Sequence, residues 1–147
     1  MSAEKTIKII NKFFKKNELQ HSFEADRHAF TGSLPTGSAL GEVSFVMQVA
    51  DECVSNSCIL PIKATKTNFK QFAELICRIN YRLVWGAFRL DSDDGEIRFQ
   101  YIMSAEELYD DPMEKARKLM GVPQQMLHVD GGVVSGLPLF SSQNDLS

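Results

Sequence analysis

The chain has 147 residues, 44% of them apolar and 24% charged, with a formal net charge of −3. That acidic balance argues against nonspecific binding to nucleic acid or to an anionic membrane, since both need net positive potential. The length suits a single domain, residues 1–147.

No apolar run approaches the length of a membrane span. The N-terminal stretch MSAEKTIKIINKFFKK scatters charge through what would be the apolar core of a signal peptide. Three cysteines without a CxxC pair fit a reducing compartment. The sequence therefore predicts a cytoplasmic protein.

Residues Ala3 to about Asn17 read as a helix: Ile7, Ile10 and Phe14 form a stripe at the helical period, widened by Ile9 and Phe13. Lys5, Lys8, Lys12 and Lys15 follow the same spacing on an offset face and read as a solvated side. His21, Phe23, Ala25 and His28–Thr31 read as a first strand, and Pro35, Gly37 and Gly41 mark a loop. Glu42–Ala50 alternates apolar and polar residues as a strand. Asp51–Ser57 reads as a turn and Cys58–Ala64 as the partner strand, at an edge or bulged at Pro61 because proline cannot donate to a ladder.

The strongest pattern runs from Asn68 to Met103. Phe69, Phe72, Ala73, Ile76, Asn80 and Leu83 make one helical stripe, with Thr67 or Asn68 as N-cap. The period then changes to two. Val84, Gly86, Phe88 and Leu90 share one face, and Ile97, Phe99, Tyr101 and Met103 another. Setting Asp91 opposite Glu96 places Leu90 against Ile97, Phe88 against Phe99 and Gly86 against Tyr101, whose ring would cover the glycine. Gly95 supplies the positive φ that ends the hairpin loop. A last helix begins at Ser104 or at Pro112 and stops at Gly121, with a further short helical turn over Pro123–Val129. Gly131, Gly132, Gly136 and Pro138 break regular structure, and Ser141–Ser147 forms a polar, mobile terminus. The element order α-β-β-β-α-β-β-α is that of an α+β fold, a mostly antiparallel five-stranded sheet with helices packed on it.

Sites of chemistry are scarce. Cys53 and Cys58 flank the expected turn closely enough to meet, but no His or Cys pair completes a tetrahedral metal set. The acidic run Asp91–Glu96 begins like an EF-hand, yet its glycine comes one position early and Ile102 takes the place of the bidentate glutamate. The glycines from Gly131 to Gly136 have P-loop spacing without its lysine. Cys77 sits beside the core stripe as a small buried apolar group, and no cysteine or serine has a recognisable His partner. No cofactor is expected. A thiol or metal enzyme built on Cys53 and Cys58 is the least favoured reading. Asn80, polar within an apolar stripe, ties the helix end to the hairpin backbone or contacts a ligand. Trp85 projects away from Phe88 and Leu90, so it is either covered or at an interface.

The stretch INYRLVWGAFRLDSDDGEIRF, from Ile79 to Phe99, resembles the YbjN family of bacterial sensory transduction regulators. It carries the asparagine at the helix end (Asn80), G-x-F before an acidic segment (Gly86, Phe88, Asp91) and G-x-[IV]-x-[FY] after it (Gly95, Ile97, Phe99). The resemblance implies a fold like that of the type III secretion chaperones: a small, often dimeric α/β sandwich that binds protein and has no active site. The expectation is a non-enzymatic interaction module, a regulator or chaperone-like adaptor, forming a homodimer and engaging a protein partner through Trp85, Tyr81 and Phe69. The alternative is a small-molecule sensor with a pocket between sheet and helices read by Asn80.

Overall fold

The computed structural model describes residues 2–146. In chain order the elements are α1 (Ala3–Lys16), β1 (Ser22–Glu24), a 3₁₀ turn (Ala25–Arg27), β2 (Ala29–Pro35), β3 (Glu42–Val49), β4 (Cys53–Lys63), α2 (Phe69–Arg82), β5 (Ala87–Leu90), β6 (Glu96–Ser104), α3 (Ala105–Asp110) and α4 (Pro112–Leu146). The strands form one antiparallel sheet in the order β1-β2-β3-β4-β6-β5. Burial alternates strictly along β3, so this strand presents one face to the core and one to solvent.

The expected α+β class and antiparallel pairing are found, with six strands in place of five. The segment read as a first strand is two. His28 adopts a left-handed conformation (φ 48°) after the 3₁₀ turn, which reverses the chain so that Ser22–Glu24 folds back on Ala29–Thr31. The turn expected over Asp51–Ser57 is shorter, because β4 already begins at Cys53. Ser55, Asn56 and Ser57 lie in mid-sheet, Asn56 between Met47 of β3 and Tyr101 of β6. Cys53 and Cys58 consequently sit five residues apart on one strand, facing opposite sides, and cannot meet. Pro61 falls within the register shift of β4 against β6, as a residue without a donor requires.

The β5–β6 register is the expected one: Phe88 opposes Phe99 and Leu90 opposes Ile97, with Asp91 N–H donating to the Glu96 carbonyl. Two details differ. The ring over Gly86 belongs to Phe99, since a Cβ added at Gly86 would stand 2.6 Å from it. And β5 starts at Ala87, which leaves Val84 outside the apolar row. Gly95 (φ 78°) is required twice over, because a side chain there would also overlap the Ala64 carbonyl. Asn68 occupies the N-cap position of α2 without capping it; its Oδ1 accepts instead from Thr65 N–H at 2.7 Å. Cys77, expected in the core, is exposed.

Both candidate helix starts near the C-terminal end are used. Ser104 Oγ accepts from Glu107 N–H to cap α3, and a non-helical Asp111 (φ −149°, ψ 82°), before Pro112, separates α3 from α4. The larger correction is the length of α4. The breaks expected at Gly121 and from Gly131 to Pro138 do not occur, and the backbone stays helical to Leu146; Ser147, the last residue of the expected polar terminus, lies outside the described residues. Two packing reasons are visible. Pro123 has no N–H for the carbonyl of Leu119, and the fully buried Asn56 side chain supplies the missing donor from the sheet, Nδ2 to Leu119 O at 3.1 Å. Gly131 lets α4 close on Leu40, where an added Cβ would come within 2.6 Å of Cδ1. α4 thus lies across β4 and β6 and against α1, α2 and α3.

If Asn56 serves the Pro123 gap, the two residues are energetically coupled. Asn56→Ala is expected to cost about 1–3 kcal/mol in urea unfolding, the range for stranding a buried polar group. In a Pro123→Ala background, where the helix supplies its own donor, the cost should be clearly smaller; simple additivity would contradict the pairing.

Candidate functional site

The residues singled out in the sequence cluster around α2 and the loop into β5. Asn80 sits in the last turn of α2. Its Oδ1 accepts from Phe88 N–H at 2.8 Å and its Nδ2 donates to the Phe88 carbonyl at 2.9 Å. The amide copies the donor–acceptor pattern of a neighbouring strand on β5, the terminal strand of the sheet. Asn80 thereby ties the end of α2 to the edge strand β5, the first of the two roles expected of it.

Past Asn80 the surface becomes apolar and exposed. Tyr81 is 92% exposed, Val84 84%, Trp85 47% and Ile102 56%. Val84, Trp85 and Ile102, with Arg89 beside them, line one shallow cleft of about 440 Å³. Lys118 of α4 lies over the Trp85 ring at 4.5 Å from its centroid, a cation–π contact that fixes the indole while leaving about half of it open. Phe69 is not part of this corner. It is half-buried at the other end of α2 and lines a separate cleft against Asp93, Asp94 and Gly95 of the hairpin turn. Val84 and Ile102 were missed by sequence reasoning. Ile102 was legible, since it alternates out of phase with the core row Ile97–Met103; Val84 was not, because it was counted into a strand that begins three residues later.

The acidic turn uses its own carboxylates. Asp91 Oδ1 accepts from Asp93 N–H and Asp94 Oδ1 from Glu96 N–H, both at 2.8 Å. Among the described residues no three His, Cys, Asp or Glu side chains converge as metal ligands. Burial pushes the Cys58 thiol up to about 12. A neutral thiol favours the folded state, so this contribution is intact below the ordinary thiol value of 9.0 and is lost as pH climbs from there towards about 12. No helix of the described residues is long and apolar enough to cross a membrane.

Two outcomes follow from this geometry. Asn80→Ala should lower stability by about 1–3 kcal/mol in denaturant, and Asn80→Asp, which keeps only the acceptor, by an intermediate amount. A thiol reagent applied to the folded protein at pH 8 should modify Cys77 first and leave Cys58 unmodified until the chain unfolds.

The sequence profile of the YbjN family, described as "Putative bacterial sensory transduction regulator", matches residues 6–114. No curated protein matches the chain. Among solved structures, that of E. coli YbjN, described as "a putative transcription regulator", is similar over 83% of this chain and 90% of its own, at 11% identity and a TM-score of 0.49. With the profile spanning well over half of its length, from α1 to the start of α4, the chain belongs to the YbjN family.

Proposed function

We propose that this protein is a non-enzymatic regulatory adaptor of the cytoplasm that acts by binding another protein, and that it does so as a homodimer. The observation that carries the reading is the exposed apolar corner formed by Val84, Trp85 and Ile102, with the exposed Tyr81 in the last turn of α2 just before it in the chain. Water-exposed aromatic and β-branched side chains grouped at one place cost solvation that a partner would recover, and tryptophan and tyrosine are the residues most often found at the centre of interfaces. Arg89 on one flank and Lys118 on the other make the rim basic, which favours a partner with apolar side chains bordered by carboxylates. The family's description as a regulator agrees with this reading, and three free thiols agree with a reducing compartment. The sensor alternative has less to support it, since the Asn80 amide already bonds both backbone groups of Phe88.

Sedimentation of the wild type and of a Tyr81→Ala/Trp85→Ser double variant tests the proposal. The wild type is expected to be a dimer in the micromolar range. The variant should lose the partner captured by a photo-crosslinker placed at Val84, while its melting temperature falls by no more than a few degrees, as for exposed sites. A wild type that stays monomeric and captures nothing would overturn the adaptor reading.

A further inference from the structure

The helices contact the sheet on the side of Phe45, Met47, Cys58, Phe99 and Tyr101. The alternate residues of each strand form the opposite face, and among the described residues no helix covers it. An uncovered sheet face is ordinarily solvated and rich in charge. This one departs from that in its two middle strands. Its positions on β3 are Ser44, Val46 and Gln48; across from them on β4 stand Ile59, Ser57 and Ser55. None is charged, in a chain that is 24% charged. Val46 and Ile59 are apolar and half-buried, and Ser57 is only 4% exposed with no helix above it, so the middle of the face is neutral and flat.

Charge returns at the margin. Glu42 opens β3 and Lys63 closes β4; both are exposed, and neither takes part in an ion pair of the described residues. Lys63 stands across from Glu96, which pairs with Arg98 instead. Arg98 and Arg89 oppose one another on β6 and β5, the last two strands of the sheet. A centre depleted of charge inside a charged rim is the composition that distinguishes an interface from the rest of a surface.

The occupant that fits this pattern is the same face of a second copy. A two-fold contact must be self-complementary, each residue meeting its match across the axis. β3 and β4 are the third and fourth of six strands, so the midline of the sheet runs between them. A two-fold axis along that midline lays β3 of one protomer over β4 of the other and keeps each residue at its own level along the strands. Neutral Ser44–Gln48 then meets neutral Ser55–Ile59. Glu42 and Lys63 lie at the same end of the β3–β4 pair, so each Glu42 faces Lys63 of the partner subunit. At about 3.4 Å per residue and about 4.8 Å per strand, the sheet covers roughly 700 Å² in projection. That is close to the ~800 Å² each partner contributes to a standard interface.

We propose that two copies of this chain pair sheet against sheet through the open face, with the neutral middle of β3 and β4 at the centre and Glu42–Lys63 contacts between protomers at the margin. The inference rests on the homodimer proposed above and assigns its surface; it does not depend on the corner at Trp85.

Sedimentation equilibrium of the full chain at low salt tests it. Val46→Lys and, at an exposed position, Gln48→Lys each place two charges at the centre of the contact and should raise the dimer dissociation constant about tenfold or more, with the far-ultraviolet circular dichroism unchanged. Glu42→Lys and Lys63→Glu should each weaken the dimer about fivefold or more, because each sets like charges face to face. The double variant Glu42→Lys/Lys63→Glu should return to within about twofold of the wild type. Tyr81→Ala/Trp85→Ser should stay dimeric. A wild-type monomer would overturn the homodimer and this inference together. A dimer indifferent to both central lysines, or a double charge swap no tighter than the single ones, would overturn the inference and leave the homodimer standing.

Discussion

Pro123 leaves the carbonyl of Leu119 without its helical donor, and the amide of Asn56 replaces that donor from the middle of the sheet. The rest of the fold depends on this exchange. α4 is the one element in contact with α1, α2, α3 and two of the central strands, so its position on the sheet sets the depth of the core. A proline in a helix interior costs a hydrogen bond and an asparagine in a sheet interior costs desolvation. Placed against one another, the Leu119 carbonyl regains a donor and the Asn56 amino group gains an acceptor, while Asn56 Oδ1 stays buried and unpaired. The surroundings reinforce the same placement through Gly131 against Leu40, the Arg82–Asp130 ion pair at 3.3 Å and His128 at the β2–β3 loop.

A sheet with helices over one face has two edges to manage, and this one manages them differently. At β5 the side chain of Asn80 stands in for a strand and removes the open backbone groups. What remains at that end is side-chain surface, the exposed corner around Tyr81 and Trp85. At β2 the covering strand is too short, so the outer edge from Gly32 onward has no strand beside it.

The hairpin shows how much of this was legible beforehand. Matching apolar rows on β5 and β6 leave one register in which both face the core, and the Phe88–Phe99 and Leu90–Ile97 pairs follow from that alone. Asn80 was visible as a polar residue in an apolar stripe, and tying the helix to the hairpin was one of two readings open to it. Choosing between them needed the position of Phe88 in space. Ser55–Asn56–Ser57 was misread because a polar triplet after Asp51 has turn composition. Its place in mid-sheet is set by partners at Met47 and Tyr101, distant in the chain and silent in local pattern. Cys77 was misplaced for the opposite reason: it lies next to a stripe whose width only packing defines.

By itself the sequence determined the fold class, the register of the β5–β6 hairpin, the extent of α1 and α2, and, through the Asn80, Gly86 and Gly95 pattern, the family. These are short-range properties: helical and strand periods, turn glycines, and rows of apolar residues that must share a face. Only the tertiary structure decided that α4 runs on to Leu146, that Asn56 rather than a break answers Pro123, and that one sheet edge is sealed while the other is open. The answer to Pro123 and the sealing of β5 turn on hydrogen bonds between separate elements, 63 positions apart for Asn56 and Leu119, where local propensity for a helix to break is overridden by what the sheet supplies.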